Sequence, residues 1–170
     1  LRRQRQMCIR DRVNADTWAT ELGILSRAWP RIIITGEAAP PGTSGAVSWM
    51  GTWAGVAGSL LIGVVAALLA HMQALIQGSG WDPGAALYPL LAVVGGVFGS
   101  FFDSLLGATV QAIYYCDRCA KPTESARHRC GNATRRVRGW RWLNNDLVNL
   151  AASLVGGLVA MALAQAVALT

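Results

Sequence analysis

The sequence predicts an all-α fold, a polytopic membrane bundle with three spanning helices in this chain, and three observations carry the prediction. The 170 residues are 53% hydrophobic and only 14% charged, whereas a soluble domain carries about 25% charged residues. Apolar stretches at about 46–70, 85–113 and 146–169 approach or exceed the roughly 20 residues that cross a bilayer. Basic side chains gather in one segment, 116–145, where Arg118, Lys121, Arg127, Arg129, Arg135, Arg136, Arg138 and Arg141 face only Asp117 and Glu124. A soluble helical core is the competing reading, but its helices need a polar face and these have almost none.

Charge also sets the orientation. The segment between the first two spans, about 71–84, holds only Asp82 and the neutral His71. Positive loops stay on the cytoplasmic side. The basic segment and the polar stretch before the first span are therefore expected to share the cytoplasmic face of a prokaryotic plasma membrane.

The elements follow in order. Residues 1–12 carry five arginines with no apolar core behind them, so they are not a signal peptide. They read as a non-native extension, and 13–170 as the C-terminal part of one membrane domain. A helix is expected from Asp16 to about Trp29, ended by Pro30. Arg31 to Thr35 is a β-branched, strand-like run. A loop spans 37–45, turned by Pro40, Pro41 and Gly42. The first span runs from Val47 to about Met72. Gly78, Gly80, Pro83 and Gly84 mark an outer loop. The second apolar run, Ala85 to about Tyr115, is long for one span and is expected to tilt, kink near its glycines or leave the bilayer. Asn145 or Asp146 is expected to cap the third. Trp81, Tyr114, Tyr115, Trp140 and Trp142 stand where an interfacial belt belongs.

Four constellations carry chemistry. Asp103 interrupts an apolar run, and a carboxylate at membrane depth costs a few kcal/mol or more unless it faces a cavity, a metal or a partner. Ser100, Ser104, Gly107 and Gln111 extend its helical face into a polar stripe. The competing reading is a structural carboxylate between helices. Asp16 and Glu21 lie among Thr17 and Thr20, an oxygen-rich set that suits Mg²⁺, or simply a favourable helix N-terminus. Gly42, Thr43, Ser44 and Gly45, with Ser48, form a turn entering the first span, where backbone N–H groups can hold an anion. It lacks the Walker pattern and is equally a plain loop. Cys116, Cys119, His128 and Cys130 offer the four ligands of a closed, structural tetrahedral Zn²⁺ site, free thiols being the alternative. Near the third span, Asn145, Asp146 and Asn149 lie within one turn. They can add ligands to the Asp103 site; helix capping is the competing reading and is expected to account for at least one of Asn144 and Asn145.

The segments 15–23, 41–48 and 99–111, the Cys/His loop and 144–149 together resemble one integral-membrane family. It is catalogued as domain of unknown function 92 and includes transmembrane protein 19 and the plant phytyl-phosphate kinase. The resemblance covers nearly everything from about Asn14 onward and implies further helices upstream. It implies phosphorylation of an isoprenyl (phytyl or polyprenyl) monophosphate to the diphosphate, with CTP or another nucleoside triphosphate as donor. A more distant similarity to membrane CTP-dependent polyprenol kinases and cytidylyltransferases implies a metal-dependent, carboxylate-rich site at the membrane edge. Carried over by position, the site candidates are Asp16, Glu21, Thr43, Ser48, Asp103 and Asp146. In this reading Asp16, Glu21 and Asp103 hold Mg²⁺, while the 42–45 turn and some of Arg135, Arg136 and Arg138 hold phosphates.

The donor nucleotide rests on the resemblance alone. Expected partners are the lipid bilayer, the isoprenyl phosphate and optionally further copies of the chain; nucleic acid is not expected. Two other functions compete. One is a carrier with Asp103 as an intramembrane ion or substrate site, and the other is a scaffold without catalysis. A kinase gathers its polar groups at one face of the membrane, whereas a carrier centres them at the midplane.

Overall fold

The computed structural model describes residues 28–80 and 83–168. Asp16, Glu21 and nearly all of the helix expected around them lie outside the described residues.

Helix α1 (Trp49–Ile76) begins where the side chain of Ser48 accepts a hydrogen bond from the Gly51 N–H at 3.1 Å. This is the usual cap for an orphan donor. The helix runs one turn past the expected end near Met72 because no Gly or Pro falls between Met72 and Gly78. There Gly78, at φ +70°, and the Ser79 N–H bonded to the Ala74 carbonyl close it. A short 3₁₀ turn (Pro83–Leu87) leads into α2 (Tyr88–Thr109), with Pro89 in its first turn. Helix α3 is Asn145–Ala168. Of the expected caps it is Asn144 that serves: its Oδ1 accepts from the Leu147 N–H at 3.0 Å, while Asn145 and Asp146 fall inside the helix.

The second apolar run stops being helical at Thr109. Beyond it the basic segment forms an antiparallel sheet. Strand β3 (Ile113–Cys116) lies between β4 (Lys121–Thr123) and β5 (Arg135–Arg138), with Tyr114 opposite Thr123 on one side and Arg136 on the other. The β-formers Ile113, Tyr114 and Tyr115 favour this geometry. A smaller pair, β1 (Arg31–Ile32) with β2 (Ala46–Val47), precedes α1. The strand expected over Arg31 to Thr35 is thus only two residues long before it turns.

Helix α2 is central and packs against both α1 and α3. Small residues permit the close approach. A Cβ on Gly95 would lie 2.7 Å from the Gly156 carbonyl oxygen, and one on Gly156 would lie 2.6 Å from that of Gly95. Gly99 packs on Ala152, and Gly96 faces Ser59 of α1. In lipid, where no hydrophobic force drives helices together, such backbone contact is what holds them. Gly157, one residue on, meets nothing within 4 Å. Gly156→Ala is therefore expected to destabilise the bundle by about 1–3 kcal/mol and Gly157→Ala to leave it unchanged. Thermal unfolding in detergent, compared between the two variants, measures this. Equal midpoints would remove the glycine contact from the packing account.

The three helices are each long and apolar enough to cross a membrane. Their outer faces stay open: Leu61, Ile62, Leu68, Leu69, Leu154 and Leu158 are all more than half exposed. Burial is concentrated instead at one end of the bundle. There the start of α1, the end of α2 and the start of α3 meet the two sheets, around Ala39, Gln111, Ala112, Cys116, Leu143 and Val148.

Candidate functional site

The polar residues collect toward that same end. Asp103 stands on α2 six residues before its last residue and fifteen after its first. At 1.5 Å per residue it lies about 9 Å from the sheet end and about 22 Å from the other. It lines an open groove of about 530 Å³ between α2 and α3 with Ser100 from its own helix and Asn149 and Ser153 from α3. The floor is glycine and alanine, including Gly95, Gly99, Gly156 and Ala160. The predicted stripe thus splits. Ser100 and Asp103 face α3, while Gly107 turns toward the chain before α1, its missing Cβ 2.9 Å from the Gly45 nitrogen. Gln111 lies just past the helix end, only 2% exposed, and its Nε2 has no hydrogen-bond partner among the described residues.

The 42–45 turn is brought to the end of α2. Gly45, at φ +80°, lies so close that a Cβ would come within 2.3 Å of the Ala108 backbone nitrogen. Only glycine fits both the conformation and the contact. The hydroxyls predicted as ligands have local duties. Thr43 Oγ1 donates to the Pro40 carbonyl at 2.7 Å. Ser44 donates to the Glu124 carboxylate, across 80 residues of sequence. Ser48 caps α1. Nothing in the local sequence around Glu124 signals that contact, because it depends on the sheet folding over the turn.

Asp146 sits exposed in the first turn of α3. Asn149, less than one turn further, is the residue that reaches the groove beside Asp103. The arginines expected to hold phosphate also make internal contacts. Arg138 donates to the Gly107 carbonyl at 2.7 Å, placing a cation at the negative end of α2. Arg136 donates to the Gly139 carbonyl at 3.2 Å. Arg135 pairs with Asp117 at 3.1 Å and stacks over the Tyr115 ring. The Arg135 pair is exposed, so its contribution to stability is about 0–1 kcal/mol.

The Cys/His residues converge as their spacing predicts. Sγ of Cys116, Cys119 and Cys130 and a ring nitrogen of His128 all lie within 4.8 Å of one another. Sγ of Cys116 and Cys130 are 3.7 Å apart, and His128 Nδ1 is 3.1 Å from the Cys130 sulfur. Hydrogen bonding with Cys130, and then burial, pushes the Cys119 thiol up to about 11. The Asn132 backbone and then His128 hold Cys130 down at about 6.

Comparison with known proteins agrees with this architecture. The family described as integral membrane protein DUF92 matches residues 11–157. An uncharacterized membrane protein of Methanocaldococcus jannaschii is 34% identical over 145 residues, covering 85% of this chain and 44% of the relative. Protein PGR of Arabidopsis thaliana is 32% identical over 142 residues, covering 84% of this chain and 48% of the relative. The chain thus spans a little under half the length of these two relatives. No solved structure matches it. On the extent of the family match and the three apolar helices, the chain belongs to the integral membrane family DUF92.

Proposed function

We propose that the chain forms part of a phosphotransferase that uses a nucleoside triphosphate, CTP or another, to convert an isoprenyl monophosphate to the diphosphate. The observation that carries the reading is the groove. An acidic side chain at membrane depth shares it with Ser100, Asn149 and Ser153, and its remaining walls are apolar and small. An isoprenyl tail fits such a surface, with its phosphate toward the polar end. The asymmetric depth of Asp103 supports a site near one face over a carrier site at the midplane.

The donors around Asp103 are all oxygens of the kind Mg²⁺ takes, and such a site leaves room for phosphate oxygens. Bound there, Mg²⁺ neutralises charge on the transferring phosphoryl group. Asp103 would hold it, with Asp16 and Glu21 completing the set. Asn149 and Ser100 orient the acceptor by hydrogen bonds. The Gly45 turn, the buried Gln111 amide and the arginine-bearing sheet lie at the end where the polar headgroups of donor and acceptor meet. An acceptor phosphate oxygen attacks the terminal phosphorus of the nucleotide. One P–O bond forms, the bridging P–O bond breaks, and the nucleoside diphosphate leaves with the electron pair.

The test supplies the full-length parent protein, reconstituted in membranes, with phytyl or geranylgeranyl monophosphate, Mg²⁺ and each nucleoside triphosphate in turn. Prenyl diphosphate and nucleoside diphosphate are expected in equal amounts. Absence of both products in every combination would count decisively against the reading.

A further inference from the structure

The sheet at the bundle end poses a physical problem. Its strands are three or four residues long, and every residue of β5 (Arg135–Arg138) is exposed. Val137 is 47% exposed and Ile113, Tyr114 and Tyr115 of β3 are only half-buried, so the sheet has a small apolar face, carried by its central strand alone. Small antiparallel sheets need a hydrophobic face, a packed helix or a cross-link to hold together. The exposed Arg135–Asp117 pair is too weak to serve. Yet this sheet places Arg138 on the end of α2 and ends near Glu124, which meets Ser44.

Two tight turns face each other at the sheet's edge. The first joins β3 to β4, starts at Cys116 and carries Cys119, with Ala120 at φ +50°. The second is closed by the His128 N–H to the Asn132 carbonyl and by the Gly131 N–H to the His128 carbonyl, with Gly131 at φ +84°. Both turns adopt left-handed backbone to point their ligands at one spot. Cys116 is fully buried and the other three are half-buried. A tetrahedral Zn²⁺ with bonds of about 2.3 Å to sulfur sets ligand sulfurs about 3.8 Å apart, and Cys116 and Cys130 stand at 3.7 Å. Three sulfurs and one imidazole are a soft donor set that selects Zn²⁺ over Mg²⁺ or Ca²⁺. All four positions are filled by protein, which leaves no open position for catalysis.

We infer that Cys116, Cys119, His128 and Cys130 bind one structural Zn²⁺ that cross-links the two turns and fixes the arginine-bearing sheet against the ends of α1 and α2. The ion supplies the cohesion that the strands lack. This inference does not depend on the phosphotransferase reading, and its failure would leave that reading standing.

The protein is purified in detergent under reducing conditions without chelator. One zinc per chain is expected by elemental analysis. Replacement by Co²⁺ is expected to give the intense visible bands of a tetrahedral thiolate site. Cys119→Ser should lower zinc affinity at least about tenfold, while Cys8→Ser, which alters the remaining cysteine of the chain, should retain full occupancy. Chelation is expected to expose the 116–139 segment to protease while helical circular dichroism is kept. The Co²⁺ spectrum is read on the unmodified chain, so a variant that fails to fold does not blunt the test. Substoichiometric zinc together with a weak, octahedral-type Co²⁺ spectrum would overturn the inference. So would a Cys116–Cys130 disulfide in protein isolated under reducing conditions.

Discussion

Asp103→Asn is expected to lower phosphoryl transfer by on the order of 10²-fold or more while leaving the bundle intact. The two side chains have the same shape, so Ser100, Asn149 and Ser153 keep their neighbour across the groove. In the proposed reading, what is lost is the negative charge that would hold a divalent cation beside the transferring phosphoryl group. A neutral amide is also easier to hold at membrane depth than a carboxylate, so folding is not expected to suffer. The measurement is turnover as a function of Mg²⁺ concentration in reconstituted bilayers, with gel filtration and thermal unfolding alongside. A loss that raised Mg²⁺ recovers in part would identify weakened metal binding. Wild-type turnover with unchanged Mg²⁺ dependence would reduce Asp103 to a structural polar residue. Asn149→Ala is a useful companion because it removes a polar group from the groove without removing charge.

Gly139→Ala is expected to detach the sheet from the helices. Gly139 has φ +79°, and a Cβ there would fall 1.9 Å from the Gln111 carbonyl oxygen and 2.3 Å from its carbon. Backbone atoms cannot swing aside as a side-chain tip can. The same short stretch carries the joints between sheet and bundle: Arg138 to the Gly107 carbonyl, the Trp140 N–H to the Val110 carbonyl, and the Ala112 N–H to the Leu143 carbonyl. Left-handed backbone costs a non-glycine residue roughly 1–2 kcal/mol, and relieving the overlap adds about 1–3 kcal/mol. Gly36 is the control. It also has positive φ, at +70°, but nothing lies within 4 Å of its added Cβ. Gly36→Ala should show the conformational cost alone. Protease sensitivity of the 113–139 segment and the thermal midpoint, compared between the two variants, isolate the contact. Equal behaviour would show that Gly139 matters only for its dihedral angle.

Much of this was readable in advance, and the readable part shares a physical basis. Hydropathy and charge are summed along the chain, so three spans and a basic segment follow from composition in windows. The small-residue faces of Gly95, Gly99 and Gly156 are likewise local patterns. Asp103 is conspicuous because a carboxylate in an apolar run has few explanations. The Cys/His set is legible because metal ligands come at short, regular spacings.

Other features depend on where distant segments meet. The sheet of Ile113–Cys116, Lys121–Thr123 and Arg135–Arg138 escapes notice because β5 shows no apolar alternation. Its pairing is decided by backbone bonds to a strand some twenty residues away. Which of Asn144 and Asn145 caps α3 depends on where the helix starts, and Asn149 reaches the groove of Asp103 where Asp146 does not because three residues turn a helix by about 300°. Residue type along the chain thus determined that this is a membrane bundle and which groups are candidates for its chemistry. The tertiary structure alone decided that Gly45, Gly107 and Gly139 are joints and that Ser44 meets Glu124, because approach distances between remote backbones have no imprint on a linear pattern.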